Sequence, residues 1–173
     1  MSKRAETLTL ALCIALLPPI WAVAAPYVGV TTGAVALICA GLCAANVDKA
    51  ADAPRISAGF LLGDFWAWLA LVIMDRLPWN PDLELFATLF VLGGLAVVIS
   101  GVFPRWIFCP AWLCGWAIGL TILTPVGLAD IGTLPVQIGA AMLAGVWYVG
   151  VFLNIVRGRL LALWTRHHPA GKE

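Results

Sequence analysis

The chain reads as an all-α, polytopic integral membrane protein of six transmembrane helices. Three observations predict this: its composition, its segmentation, and the sidedness of its charges. Of the 173 residues, 62% are apolar and only 11% charged, with a mean hydropathy of +0.99. A soluble domain carries about a quarter charged residues, so this chain has too few to cover a water-facing surface, and lipid is the expected solvent for most of it. Six apolar runs fall at 7–25, 27–45, 56–74, 85–103, 106–123 and 134–156. Each is close to the ~20 residues that cross a bilayer as a helix. Residues 1–173 are therefore expected to form a single transmembrane domain.

The first run follows Lys3 and Arg4 and ends in Ala22-Val23-Ala24. Basic start, apolar middle and small residues also describe a signal peptide. Pro18, Pro19 and Pro26 crowd the supposed cleavage region, so a retained first helix is the preferred reading. The second run contains Gly29 and Gly33. A polar loop with Asp48, Lys49, Asp52 and Arg55 leads to the third, 56–74, whose sole ionisable side chain is Asp64. The next loop contains Pro78 and Pro81, which forbid a continuing helix. Pro104-Arg105 separates the fourth and fifth runs, and 124–133, with Asp130, separates the fifth and sixth. The tail 157–173 is basic. Leu160–Trp164 reads as a short interfacial continuation anchored by Trp164, and His167 and His168 as a solvated end.

If six helices alternate, Lys3, Arg4, Lys49, Arg55, Arg105, Arg157, Arg159, Arg166 and Lys172 fall on one side and Arg76 alone on the other, accounting for all 10 Lys and Arg residues. The basic side is expected to be cytoplasmic, with both termini inside. A missing or extra helix would scramble this asymmetry. The net charge of +1 gives no reason to expect a nucleic-acid partner.

Asp64 is the most informative residue. A carboxylate within an apolar span is costly and usually faces a bundle interior or a water-filled cavity. Phe60, Asp64 and Trp68 recur every four residues and share a helix face. Trp66, Trp116 and Trp147 lie deep in their runs, unlike the anchor positions of Trp21, Trp79, Trp106 and Trp164. The acid can hold a proton, attract a cation with help from indole faces, or polarise a path for a neutral solute. The competing reading is a buried Asp that only fixes packing. In the sixth run Gln137 and Asn154 lie at opposite ends of the stripe that holds Trp147, and interhelical hydrogen bonding alone would account for them.

Gly29/Gly33, Gly59/Gly63 and Gly115/Gly119 are spaced for close helix packing. The five cysteines, Cys13, Cys39, Cys43, Cys109 and Cys114, all lie in apolar runs. They lack the C-x-x-C spacing and neighbouring histidines of a metal centre, so neither a disulfide framework nor a metal or other cofactor is expected. No nucleophile elbow, zinc-protease helix or phosphate loop appears, and the chain is not expected to be an enzyme. A shift of 81 residues aligns Pro54 with Pro135, Leu62 with Leu143 and Trp66 with Trp147. Three helices per half would make a three-plus-three inverted repeat, a common transporter build.

Trp21 ahead of a Gly-rich second helix, SAGFLLGDFWAW in the third run, FPRWIFCPAWLCGWAIG in the fifth and PVQIGAAMLAG in the sixth together resemble the YcdZ-like small bacterial inner-membrane proteins, over about residues 12–160. The resemblance implies a multi-pass inner-membrane protein with its first helix retained; it implies no activity, ligand or site residue. The leading expectation is a small-solute channel or facilitator, its path lined by Asp64, Trp66, Trp68, Trp116, Trp147 and Gln137. Alternatives are a proton-coupled carrier and a non-transporting accessory or assembly subunit. The expected partners are the lipid bilayer, further copies of the chain in a homo-oligomer, and an unknown small solute.

Overall fold

The computed structural model describes residues 3–45 and 50–167; Asp48, Lys49, His168 and Lys172 of the charge and tail readings lie outside the described residues. The regular structure of the described residues is all helical, without strands. In order they form α1 (Lys3–Ala24), α2 (Val35–Ala45), α3 (Ala53–Arg76), α4 (Pro81–Val102), α5 (Cys109–Leu123), α6 (Leu134–Ala144) and α7 (Leu153–His167). A π-helical stretch, Gly145–Phe152, joins α6 to α7 as one continuous rod. The six expected runs thus correspond to six helical rods of very unequal length.

Three helical segments are long and apolar enough to cross a membrane: Ala53–Arg76, Pro81–Val102 and Leu134–Leu160. Local chemistry explains where they begin and end. Pro54 and Pro81 occupy the first turns of α3 and α4, where a missing N–H costs nothing. Asn80 caps α4, its Oδ1 accepting from the Asp82 N–H at 3.0 Å, and Asp82 and Glu84 add negative charge at the positive end of the helix dipole. At the far end Pro104 pushes Phe103 out of the helical region, to φ −115°, ψ 50°.

The second run departs most from expectation. Instead of a span over 27–45, the chain makes a 3-10 turn (Ala25–Val28) and further turns before α2 begins at Val35. Pro26 sits in the 3-10 turn and Gly29 closes it in the left-handed region at φ 80°, its N–H donating to Pro26 O. The 11 residues that remain helical reach only about 16 Å, half a hydrocarbon core. Gly29 therefore is not a packing residue: a Cβ there would meet nothing within 4 Å. Gly33 does meet a neighbour, the Cβ of Ala25, but from a turn rather than a helix. The fifth run is also shorter than expected. Pro104 and Pro110 delay helix formation to Cys109, leaving 15 residues. The sixth run, by contrast, does not stop at Val156: helix continues through the first part of the basic tail to His167.

The long helices pack on the short ones. α3 lies along α5, and the α6–α7 rod lies along α2; α3 also faces α6, α4 flanks α3, and α1 runs beside α7. Glycines carry the first contact. A Cβ on Gly59 would collide with Phe108 O and Ala111, on Gly63 with Trp112 O and Trp116 N, on Gly115 with Phe60 O, and on Gly119 with the Ala67 Cβ. Backbone thus meets backbone, as in small-xxx-small packing. The second contact uses Gly145, against Ala36 and Cys39, and Gly150, against Cys43. Residues five apart stack in an i→i+5 helix, so the π stretch turns both glycines towards α2. Phe60, Trp112, Ile138, Met142 and Val146 fill the centre, each all but inaccessible.

Candidate functional site

Asp64 lies in the middle of α3, at the junction of α3, α5 and α6. It is 7% exposed. Two glycines leave room for its carboxyl group: a Cβ on Gly119 of α5 would stand 3.5 Å from Oδ1, and one on Gly139 of α6 would stand 3.6 Å from Oδ2. Oδ1 is buried without a hydrogen-bond partner. A buried polar atom left unpaired costs about 1–3 kcal/mol, and a carboxylate without a counter-charge costs more. Packing alone gives no reason for the acid to be there.

The carboxyl group sits at the base of a groove of about 580 Å³ between α3 and α6. Leu61, Phe65 and Trp68 form one wall; Val136, Ala140 and Leu143 form the other. Phe65 and Trp68 are exposed at the mouth, their ring centroids 5.7 Å apart at an interplanar angle of 33°. Asp64 is the only ionisable residue in the lining. The groove therefore combines a single deep negative or protonated group with apolar and aromatic walls.

Two side-chain bridges tie the α6–α7 rod to neighbouring elements. Two turns from Asp64, Trp147 of the π stretch donates from Nε1 to Ser57 Oγ of α3 at 3.0 Å. At the other end of α6, Gln137 Oε1 accepts from the Thr31 N–H at 3.2 Å and from Thr31 Oγ1 at 2.8 Å, while its Nε2 donates to Thr133 Oγ1 at 3.1 Å. This amide staples the irregular segment ahead of α2 to the start of α6.

The six residues expected to line one path are not brought together. Asp64 and Trp68 share the groove; Gln137 and Trp147 are committed to their bridges. Trp66 turns away from it, donating from Nε1 to Leu92 O of α4 at 3.0 Å and meeting Trp112 edge-to-face at 5.0 Å. Trp116 packs its ring against Gly93 of α4. Successive helical positions point about 100° apart, so similar depth did not mean a shared face. The indole N–H groups of Trp112 and Trp116 and the hydroxyl of Thr88 are also buried without partners.

Several contributors escaped the sequence reading. Gly139 has no glycine four residues away, and Gly145 and Gly150 share a face only because the helix there is π-helical. Ser57 looks ordinary until Trp147 is seen to reach it. Phe65, on the groove wall, lies one turn before Trp68, a spacing the sequence shows. The five cysteines are free, and among the described residues no group of three or more His, Cys, Asp or Glu is placed to hold a metal ion.

A helical protein with three apolar rods of spanning length, and a lone acid at the base of a groove between two of them, has the makings of a membrane protein with a polar site at depth. Residues 11–156 match the model of the family described as "protein of unknown function (DUF1097)". The match covers most of the chain, and the protein belongs to that family. Comparison with curated proteins and with solved structures finds no match.

Proposed function

We propose that this protein is a multi-pass protein of the bacterial inner membrane, of the YcdZ-like kind, that moves a small solute past Asp64, with both termini in the cytoplasm. It acts as a transport protein and not as an enzyme. The single observation that carries this reading is the unpartnered Asp64 carboxyl oxygen, buried at mid-helix and bordering a groove large enough for a small molecule. Small-molecule sites span about 300–1,000 Å³, and an intramembrane acid without a structural partner marks a solute or proton pathway by default.

Within that reading, a carrier fits the geometry better than an open pore. The acid occupies a groove rather than a ring of facing polar groups, and the seam beside it is crossed by the Trp147–Ser57 bridge. A site that binds and is then exposed to the other side needs such breakable closures. The pairing of α3 with α5 and of the α6–α7 rod with α2 supports an inverted three-plus-three repeat, since a two-fold axis in the membrane plane exchanges those pairs. The two short helices, α2 and α5, occupy corresponding positions in the halves, as interrupted segments do around transporter sites. A homo-oligomer would cover the exposed apolar face of α4, which includes Phe86 and Phe90.

The test is flux into proteoliposomes, comparing small amines, amides, carboxylates and inorganic ions. Saturable uptake of at least one solute above that of empty vesicles, lost in Asp64→Asn, is the expected result. If no solute crosses faster than through protein-free vesicles, the transport reading is wrong and the accessory-subunit reading takes its place.

A further inference from the structure

We propose that the Asp64 groove takes an apolar organic cation, which enters sideways from the bilayer between α3 and α6 and displaces the proton held by the carboxyl group. This deepens the transport reading above and rests on it.

Asp64 is the only ionisable group in the groove, and no cationic side chain competes for it. α5 and α6, whose glycines border the carboxyl oxygens, contain no Lys, Arg, Asp or Glu; their titratable groups are Cys109 and Cys114, both on α5. α2 contributes Cys39 and Cys43, and α4 carries Asp82 and Glu84 in its first turn. On α3 itself the nearest cations are Arg55 and Arg76, about 13 and 18 Å along the axis from Asp64. Arg55 is already engaged by Pro104 O at 3.0 Å, Asp52 at 3.6 Å and the Phe108 ring at 5.2 Å. Among the described residues no side chain thus supplies a counter-charge for a bare carboxylate in a low-dielectric slab. An external cation or a proton must do so.

The walls select the kind of cation. Phe65 and Trp68 present ring surfaces at the mouth, and cations bind aromatic faces. The remaining wall atoms belong mostly to aliphatic side chains, so a hydrated metal ion or a sugar would lose water without replacement partners. A cation with its own apolar substituents loses little. The route follows from exposure. Leu61, Phe65 and Val136 are exposed on the outer faces of α3 and of the α6–α7 rod, both of spanning length. In a bilayer those faces meet acyl chains, so the mouth opens to lipid. Exchange keeps the site neutral throughout: the empty carboxyl group carries a proton, and the arriving cation replaces it as the proton leaves for solvent.

The experiment uses the full chain in lipid nanodiscs, with tetraphenylphosphonium as the probe and triphenylphosphine oxide as a neutral analogue. The expected result is saturable cation binding with a proton released for each cation bound, weakening as the pH is lowered. The neutral analogue should not compete. Asp64→Asn should weaken binding by about tenfold or more, with Asp64→Glu restoring part of it. Trp68→Ala, at an exposed ring, should weaken it about threefold. Ala140→Phe, on the exposed wall, should block the groove while the protein still elutes as wild type. Binding that is indifferent to Asp64→Asn, releases no proton, or is matched by the neutral analogue overturns the proposal. Asp64-dependent flux of a neutral solute without tetraphenylphosphonium binding would sink the cation but leave transport standing. Cation binding as described without flux of any solute would do the reverse.

Discussion

Among the described residues Asp64 Oδ1 has no hydrogen-bond partner, so removal of the acid separates function from folding. Replacing it with Leu takes an unpaired polar group out of the interior, a change worth about 1–3 kcal/mol in favour of the folded state. Thermal unfolding of the detergent-solubilised protein is expected to shift upward in Asp64→Leu while solute uptake disappears. A large downward shift would mean the acid holds the bundle together. Ser57 makes the opposite case. It accepts the Trp147 indole N–H, and Ser57→Ala should cost about 1 kcal/mol, since the indole loses its acceptor. If the bridge is one of the closures of the site, the same substitution should raise the rate of solute leak through proteoliposomes. An unchanged leak would make the bridge purely structural.

At the scale of helices, the α3–α5 contact is the most constrained. Gly63→Ala would drive a methyl group into Trp112 O and Trp116 N, neither of which can swing aside. Overpacking of this kind costs about 1–3 kcal/mol. Gly94 of α4 is an internal control, because a Cβ there meets nothing within 4 Å. Gly94→Ala should be neutral or stabilising by up to ~1 kcal/mol, through helix propensity alone. The two variants compared by thermal melting test whether the glycines serve packing: equal midpoints would refute it. Gly145→Ala is expected to resemble Gly63→Ala, because its Cβ would strike Ala36 O and Cys39. It should also loosen α2, which has only 11 residues and depends on that contact.

The whole molecule is predicted to sit with its basic loops in the cytoplasm. In a variant whose five cysteines are replaced by Ala, a thiol introduced by Trp79→Cys, between α3 and α4, should react with a membrane-impermeant maleimide added outside intact cells. One introduced by Arg105→Cys, between α4 and α5, should react only after the cells are opened. The reverse pattern would invert the topology and the direction of any proton-driven uptake. The unequal rods sharpen this test. α2 and α5 are too short to span alone, so the segments preceding them, 29–34 and 103–108, must be sheltered by the bundle or reach water.

Composition, the run of apolar segments and the placement of Asp64 were all legible without coordinates. They depend on local chemistry: transfer of side chains to lipid, proline as a helix breaker, and the cost of a charge at depth. The close pairs Gly59/Gly63 and Gly115/Gly119 were legible for the same reason, since a four-residue spacing marks one face of an ordinary helix. Other features required the tertiary structure. Whether Gly29 packs or turns depends on a backbone dihedral, and Gly145 and Gly150 share a face only in a π-helix. Which tryptophans accompany the acid depends on helix rotation: Trp68 joins it in the groove, whereas Trp66, two residues earlier, points at α4. Depth in a membrane is a one-dimensional property that a sequence records directly. Facing is settled by how the helices lock together, and here that was decided by glycines on neighbouring rods.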